Sequence, residues 1–155
     1  MKDSFVAPDH PTEEFAFFVV GELSSTTEEH CEDLIIRLES ARDWALGPPQ
    51  FLDELEDPKS LPPGTPPRRT LGGVLTLYSA LPPWILPREV ELRHYHEVVS
   101  VLEALKELSL REGLKFGISL RGEEMGEVHQ GELDRSLREG LLRPWQQRLG
   151  QSQDL

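Results

Sequence analysis

The histidines, the single cysteine and the carboxylates are the side chains that could do chemistry, and their spacing decides which could act together. His94 and His96 stand two residues apart in a segment of helical periodicity, which puts them about 200° apart around the axis. They cannot share a metal ion, because a zinc helix needs a four-residue step, as in H-E-x-x-H. Both are expected on the surface. His30, Cys31, Glu32 and Asp33 are dense in ligand atoms but fan around a helix. Cys31 falls on that helix's apolar stripe, so a core cysteine is expected. Its place near a helix start leaves a lowered pKa and a nucleophilic role as the alternative.

Other catalytic signals are missing. The chain has no G-x-S-x-G elbow, no G-x-x-x-x-G-K-[ST] loop and no G-x-G-x-x-G. Leu71-Gly72-Gly73-Val74 predicts a bulge or a close backbone approach rather than a phosphate cradle. The expectation is a non-catalytic protein with no cofactor and no metal. A deep pocket gathering His30, His94 or His129 with carboxylates would point instead to an enzyme.

The charge distribution carries more. Among the 155 residues, positions 1–60 hold 15 acids and 4 bases, a balance of −11; positions 61–155 hold 13 acids and 12 bases, a balance of −1. Such a field repels nucleic acid and anionic membranes and attracts a basic partner. The acids that form it are Glu28, Glu29, Glu32, Asp33, Glu39 and Asp43, followed by Asp53, Glu54, Glu56 and Asp57. Trp84, beside Ile85 and Leu86, is the aromatic candidate for an interface anchor within a charged rim. The competing readings are that the acidity serves solubility and that Trp84 plugs one end of the core.

The elements that must position these residues follow from periodicity. Residues 1–12 lack a pattern and predict a loose arm. Glu14 to Leu23 is a continuous apolar run that fits a strand in the middle of a sheet, buried on both faces. Thr26 or Thr27 can cap a helix running to about Leu46, with Cys31, Leu34, Ile35 and Leu38 inward. Seven prolines between 47 and 69 predict an exposed connection, with one short helical turn around Phe51, Leu52 and Leu55. Thr70 to Ala80 is the second strand.

A long helix begins after Pro87, with Tyr95, Val98, Val99, Leu102, Leu105 and Leu108 inward and Glu91, Glu97 and Glu103 outward, and stops at Gly113. Leu114 to Leu120 alternates as a strand, Arg121-Gly122-Glu123 turns, and Met125 to Val128 returns. His129-Gln130-Gly131 turns again. Asp134 can cap a last helix that Gly140 and Pro144 should kink or split into two pieces, and residues 151–155 should fray. The order β-α-β-α-β-β-α predicts one two-layer α+β or α/β domain over 13–150. Its sheet would be mixed, about four strands with parallel neighbours, packed with about three helices.

One cysteine excludes an internal disulfide, and the run from Phe15 to Gly21 is too short to span a bilayer. The single cation Lys2 before that run does not suit a secretory signal, so the cytoplasm is the expected compartment. This acidic single-domain layout resembles that of small cytoplasmic immunity proteins of bacterial toxin systems. The resemblance rests on the general layout of the chain rather than on a motif. It implies inhibition by occlusion: the acidic face would dock on a basic toxin domain and block its active site. The alternative is a small structural or assembly subunit, a homodimer through an exposed strand or the Trp84 loop.

Overall fold

The aromatic and β-branched run near the start of the chain becomes the central strand. In the computed structural model, which describes residues 6–150, β1 (Thr12–Val20) is flanked by β3 (Arg69–Tyr78) and β4 (Lys115–Leu120). β2 (Gln50–Leu55) lies outside β3, while β5 (Glu123–His129) and β6 (Glu132–Leu133) lie beyond β4, so the order is β2-β3-β1-β4-β5-β6. Three α-helices, α1 (Ser25–Ala41), α2 (Arg88–Glu112) and α3 (Arg143–Leu149), complete an α+β fold.

Every neighbouring strand pair is antiparallel, which corrects the expected mixed sheet of about four strands. The strands that each helix connects do run parallel, but another strand separates them. β3 lies between β1 and β2, and β1 lies between β3 and β4. This is the split β-α-β pattern of ferredoxin-like topologies, extended here by β5 and β6.

The helices cover one face of the sheet. Phe15 and Phe17 of β1, Leu71, Leu75 and Leu77 of β3, and Phe116 and Ile118 of β4 are buried there against Cys31, Leu34 and Leu38 of α1 and Val98, Val101, Leu102 and Leu105 of α2. Among the described residues nothing covers the opposite face, so β1 is central but not buried on both faces: Ala16 and Phe18 are half-buried and Val20 is exposed. Gly72 and Gly73 mark a close approach, not a bulge, since the β1–β3 register runs through them unbroken. A Cβ on Gly72 would lie 1.9 Å from the Phe17 carbonyl oxygen, and one on Gly73 2.5 Å from the Phe17 ring. The bulge falls in β4–β5, between Ile118 and Ser119.

Other boundaries moved for local reasons. The turn expected around Phe51 and Leu55 is the edge strand β2, because β3 presents an unpaired edge and β2 pairs with it from Gln50 to Leu55. Ser24, not Thr26 or Thr27, caps α1, its hydroxyl accepting from the Thr27 amide at 3.2 Å. α1 ends five residues before Leu46, where Arg42 turns extended; its guanidinium donates to Ser100 Oγ at 2.9 Å and lies over the Trp44 ring. Residues 6–11 are not a loose arm. His10 is buried, its Nε2 donating to the Ser79 carbonyl at 2.6 Å, and the Ser79 amide donates to Pro11 O at 2.9 Å. The first five residues of that arm and the tail 151–155 lie outside the described residues.

Arg121 and Gly122, both at positive φ, make the two-residue turn of the β4–β5 hairpin. Gln130 and Gly131 repeat it and place the short β6, which the sequence pattern does not announce. Asp134 does cap the last helical stretch, accepting the Leu137 amide at 3.0 Å. The expected break is absent: a π-helical segment, Ser136–Leu142, with Gly140 inside it, runs directly into α3, whose first turn holds Pro144.

Gly72→Ala should therefore cost about 2–3 kcal/mol, since the added methyl has only backbone to displace. Gly140→Ala should be neutral or stabilising by up to about 1 kcal/mol, because nothing lies within 4 Å of the added carbon and the residue is helical. Urea unfolding of the two variants separates these outcomes.

Candidate functional site

α1 presents its acids because its apolar stripe faces the sheet. With Thr27, Cys31, Leu34, Ile35 and Leu38 inward, Glu29, Glu32, Asp33 and Glu39 are left outward and exposed. Glu28 stands at the edge of this face and meets β2 through Arg69. The Arg69 guanidinium grips Asp53 with two bonds of 2.8 Å, one to each carboxylate oxygen, and donates a third of 2.8 Å to Glu28. The hydrogen bonds from Arg69, and after them its charge, hold the Asp53 carboxyl below its ordinary value; Asp53 and then Glu28 hold the guanidinium proton in turn. One cation thus joins α1 to the edge strand into a continuous acidic surface.

The other predicted acids divide by role. Glu29, Glu32, Asp33, Glu39, Asp43 and Glu54 make no ion pair among the described residues. Glu56 and Asp57 hold the chain instead. Glu56 accepts the Arg68 amide at 2.9 Å, and Asp57 caps the 3-10 turn Pro58–Ser60 through the Lys59 amide at 2.9 Å. Trp84 is 39% exposed and packs on His10, their ring centroids 5.4 Å apart. It lies beyond the Tyr78 end of β3, about 30 Å along the strand from Arg69, so it cannot anchor the same patch. Ile36 and Leu55 can. Both are exposed, Ile36 among the outward acids of α1 and Leu55 at the end of β2, opposite Arg69. Ile36 sits off the buried stripe, and that offset is the sequence signal for it.

The histidines depart from expectation. His94 is buried, not a surface residue, and Glu97 is fully buried rather than on the solvent face. The Tyr78 amide donates to His94 Nε2 at 3.1 Å, so Nε2 carries no proton. The ring proton is then on Nδ1, which donates to Glu97 Oε1 at 2.9 Å. The other Glu97 oxygen accepts the Ala45 amide at 2.7 Å, and Arg93 stands 3.8 Å from it. The i,i+3 spacing was visible in the sequence. What hid the pair was the width of the buried arc, which Val90 and Val101 extend as far as Glu97.

A cavity of about 370 Å³ lies between the end of the sheet and α2 and α3. It does gather a histidine, His94, with two carboxylates, Glu13 and Glu91. Both His94 nitrogens are already committed, so the ring has no free lone pair to act as a base there. His30 is elsewhere, 3.3 Å from Glu112, and His129 is exposed at the end of β5. Cys31 is fully buried. Burial, and behind it the charge of Glu32, pushes its thiol from 9.0 up to about 11, the reverse of an activated nucleophile. No family model, curated protein or solved structure matches the chain.

Two outcomes follow from the buried groups. His94→Leu should lower unfolding free energy by about 3 kcal/mol, because it orphans the Tyr78 amide and removes a donor from a buried carboxylate; chemical denaturation measures it. For Cys31, the unfolded chain releases the thiol proton first. Stability should therefore fall as pH rises from 9 toward 11. Cys31→Ala should flatten that part of the decline, read as urea midpoint against pH.

Proposed function

We propose that the protein is a non-catalytic binding module that occludes a basic partner, as immunity proteins of bacterial toxin systems do, and that it works in the cytoplasm. The observation that carries this reading is the surface of α1 and β2. Ile36 stands exposed among the unpaired acids of α1, Leu55 is exposed on β2, and Arg69 fixes the two elements to one another. An apolar centre within a charged rim supplies slow release, and the net field supplies fast encounter.

A second reading has its own support. The open sheet face presents Ala16, Phe18, Val74 and Leu52, only half-buried and without a covering layer among the described residues. A second copy could pair there, making the chain an assembly subunit. Light scattering on the purified chain distinguishes the two, since a stable dimer favours this second reading.

The first reading is tested with Glu29→Lys, Glu32→Lys, Asp33→Lys and Glu39→Lys combined. Glu28 and Asp53 are better left alone, because reversing them would also break the Arg69 fork. Association with the partner captured from the source cell, or with the product of the neighbouring coding sequence, should weaken at least about tenfold in this variant. It should also lose most of its salt dependence. Ile36→Ala should raise dissociation rate more than it lowers association rate. Unchanged affinity and salt response in the charge-reversed protein would remove the proposal.

A further inference from the structure

We propose that the loop 81–87, between β3 and α2, rests on an uncharged lipid surface, independently of what the acidic surface binds. The loop reads Leu-Pro-Pro-Trp-Ile-Leu-Pro and carries no charge. It is also turned outward: Ile85 is 88% exposed, Leu81 46% and Trp84 39%, with Pro82 and Pro83 exposed between them. Its base is held. The Ser79 hydroxyl accepts the Leu81 amide at 3.2 Å, the Ser79 amide donates to Pro11 O at 2.9 Å, and the Trp84 ring packs on buried His10. A fixed collar therefore presents the apolar tip to the outside.

Entering an apolar medium costs most where backbone donors lose water. Here the three prolines have no N–H, the Leu81 amide is taken by Ser79, and the Trp84 amide donates to Leu81 O at 3.1 Å, so at most Ile85 and Leu86 keep a free one. Trp44 and Trp145 spend their indole N–H on Leu38 O and Glu91 Oε2, whereas the Trp84 indole donates to nothing among the described residues. An apolar ring with a free donor suits the headgroup level of a bilayer, with Ile85 and Leu81 reaching below it. A specific protein interface needs polar partners spaced through it, and this loop offers few; a lipid surface needs only apolar area and an interfacial donor. The charges bordering the loop come largely in opposite pairs: Arg88 beside Glu89, Arg121 with Glu13 at 3.1 Å, and Arg148 with Glu91; Asp9, next to His10, is unpaired among the described residues. The acidic surface lies about 30 Å away, near the other end of β3, so it faces solution when the loop touches lipid. With a net charge of −12, the chain selects uncharged over anionic lipid.

Flotation of the full chain with phosphatidylcholine vesicles tests this. The chain should float with them, and less with mixed phosphatidylcholine–phosphatidylserine vesicles at low salt. Ile85→Asp should weaken partitioning at least about tenfold, since a charge replaces the apolar tip, while Ile85→Leu should retain it. Ile36→Asp on α1 removes an exposed isoleucine elsewhere and should leave partitioning unchanged. All three positions are on the surface, so melting temperatures should match the parent chain. Indole emission should shift to the blue on adding vesicles, and Trp84→Phe should remove that shift. The proposal is overturned if the chain does not float, if Ile85→Asp floats as the parent does, or if Ile36→Asp weakens flotation as much. It is overturned equally if light scattering shows a dimer that Ile85→Asp dissolves, which would give the loop to a second copy, or if Ile85→Asp loses a protein partner while no vesicle binds.

Discussion

A charged group inside a core must be given donors, and the buried carboxylate of Glu97 sets much of this structure through that requirement. Its two oxygens draw on three parts of the chain. One takes the His94 ring, which in turn receives the Tyr78 amide at the end of β3. The other takes the Ala45 amide, just beyond α1. α2 is thereby tied to the last residue of a core strand and to the chain leaving the neighbouring helix. The early end of α1 has its reason here. A helix continued to Leu46 would place the Ala45 amide in its own ladder, and Glu97 would lose a donor at 2.7 Å.

The same requirement fixes chemistry by exclusion. A histidine beside a carboxylate in a cavity wall is the arrangement a general base would show. Here the direction of one backbone donor decides otherwise. Because the Tyr78 amide occupies Nε2, the ring's tautomer and both of its nitrogens are assigned to holding the fold. Cys31 is excluded by a different route, since burial raises its pKa when a nucleophile needs it lowered.

The parts of the fold legible in the sequence were those governed by local period. β1, α2 and the β4–β5 hairpin lie within a few residues of where alternation, a 3.6-residue stripe and Gly113 put them. The parts that were not legible depend on partners distant in sequence. Gln50 to Leu55 has neither clean alternation nor a turn signal, and it is a strand because β3 has an edge to fill. The antiparallel sheet follows from which strand is inserted between two others, and no window of sequence contains that. For the site, the charge count located the acidic face, but Trp84 was joined to it by composition alone. The length of β3 separates them, and the exposed apolar residues of α1 and β2 are Ile36 and Leu55.

The contrast between the two long helices bears on what the acidic face is for. On α2, Glu89 in the first turn is exposed without an ion pair among the described residues, but further along the exposed acids are paired: Glu103 with Lys106 at 3.2 Å, and Glu107 with Arg111 at 3.3 Å and with Arg37 at 3.5 Å. On α1, Glu29, Glu32, Asp33 and Glu39 face solvent with no ion pair among the described residues. Like charges one turn apart on a helix destabilise it slightly, so stability alone would favour the α2 pattern on both. Solubility does not require the concentration either, because the same net charge spread over the surface would serve equally. Crowding unpaired acids around an exposed isoleucine is unfavourable for the isolated chain. It becomes favourable when a basic surface covers it, and that is the balance of forces expected of a docking face.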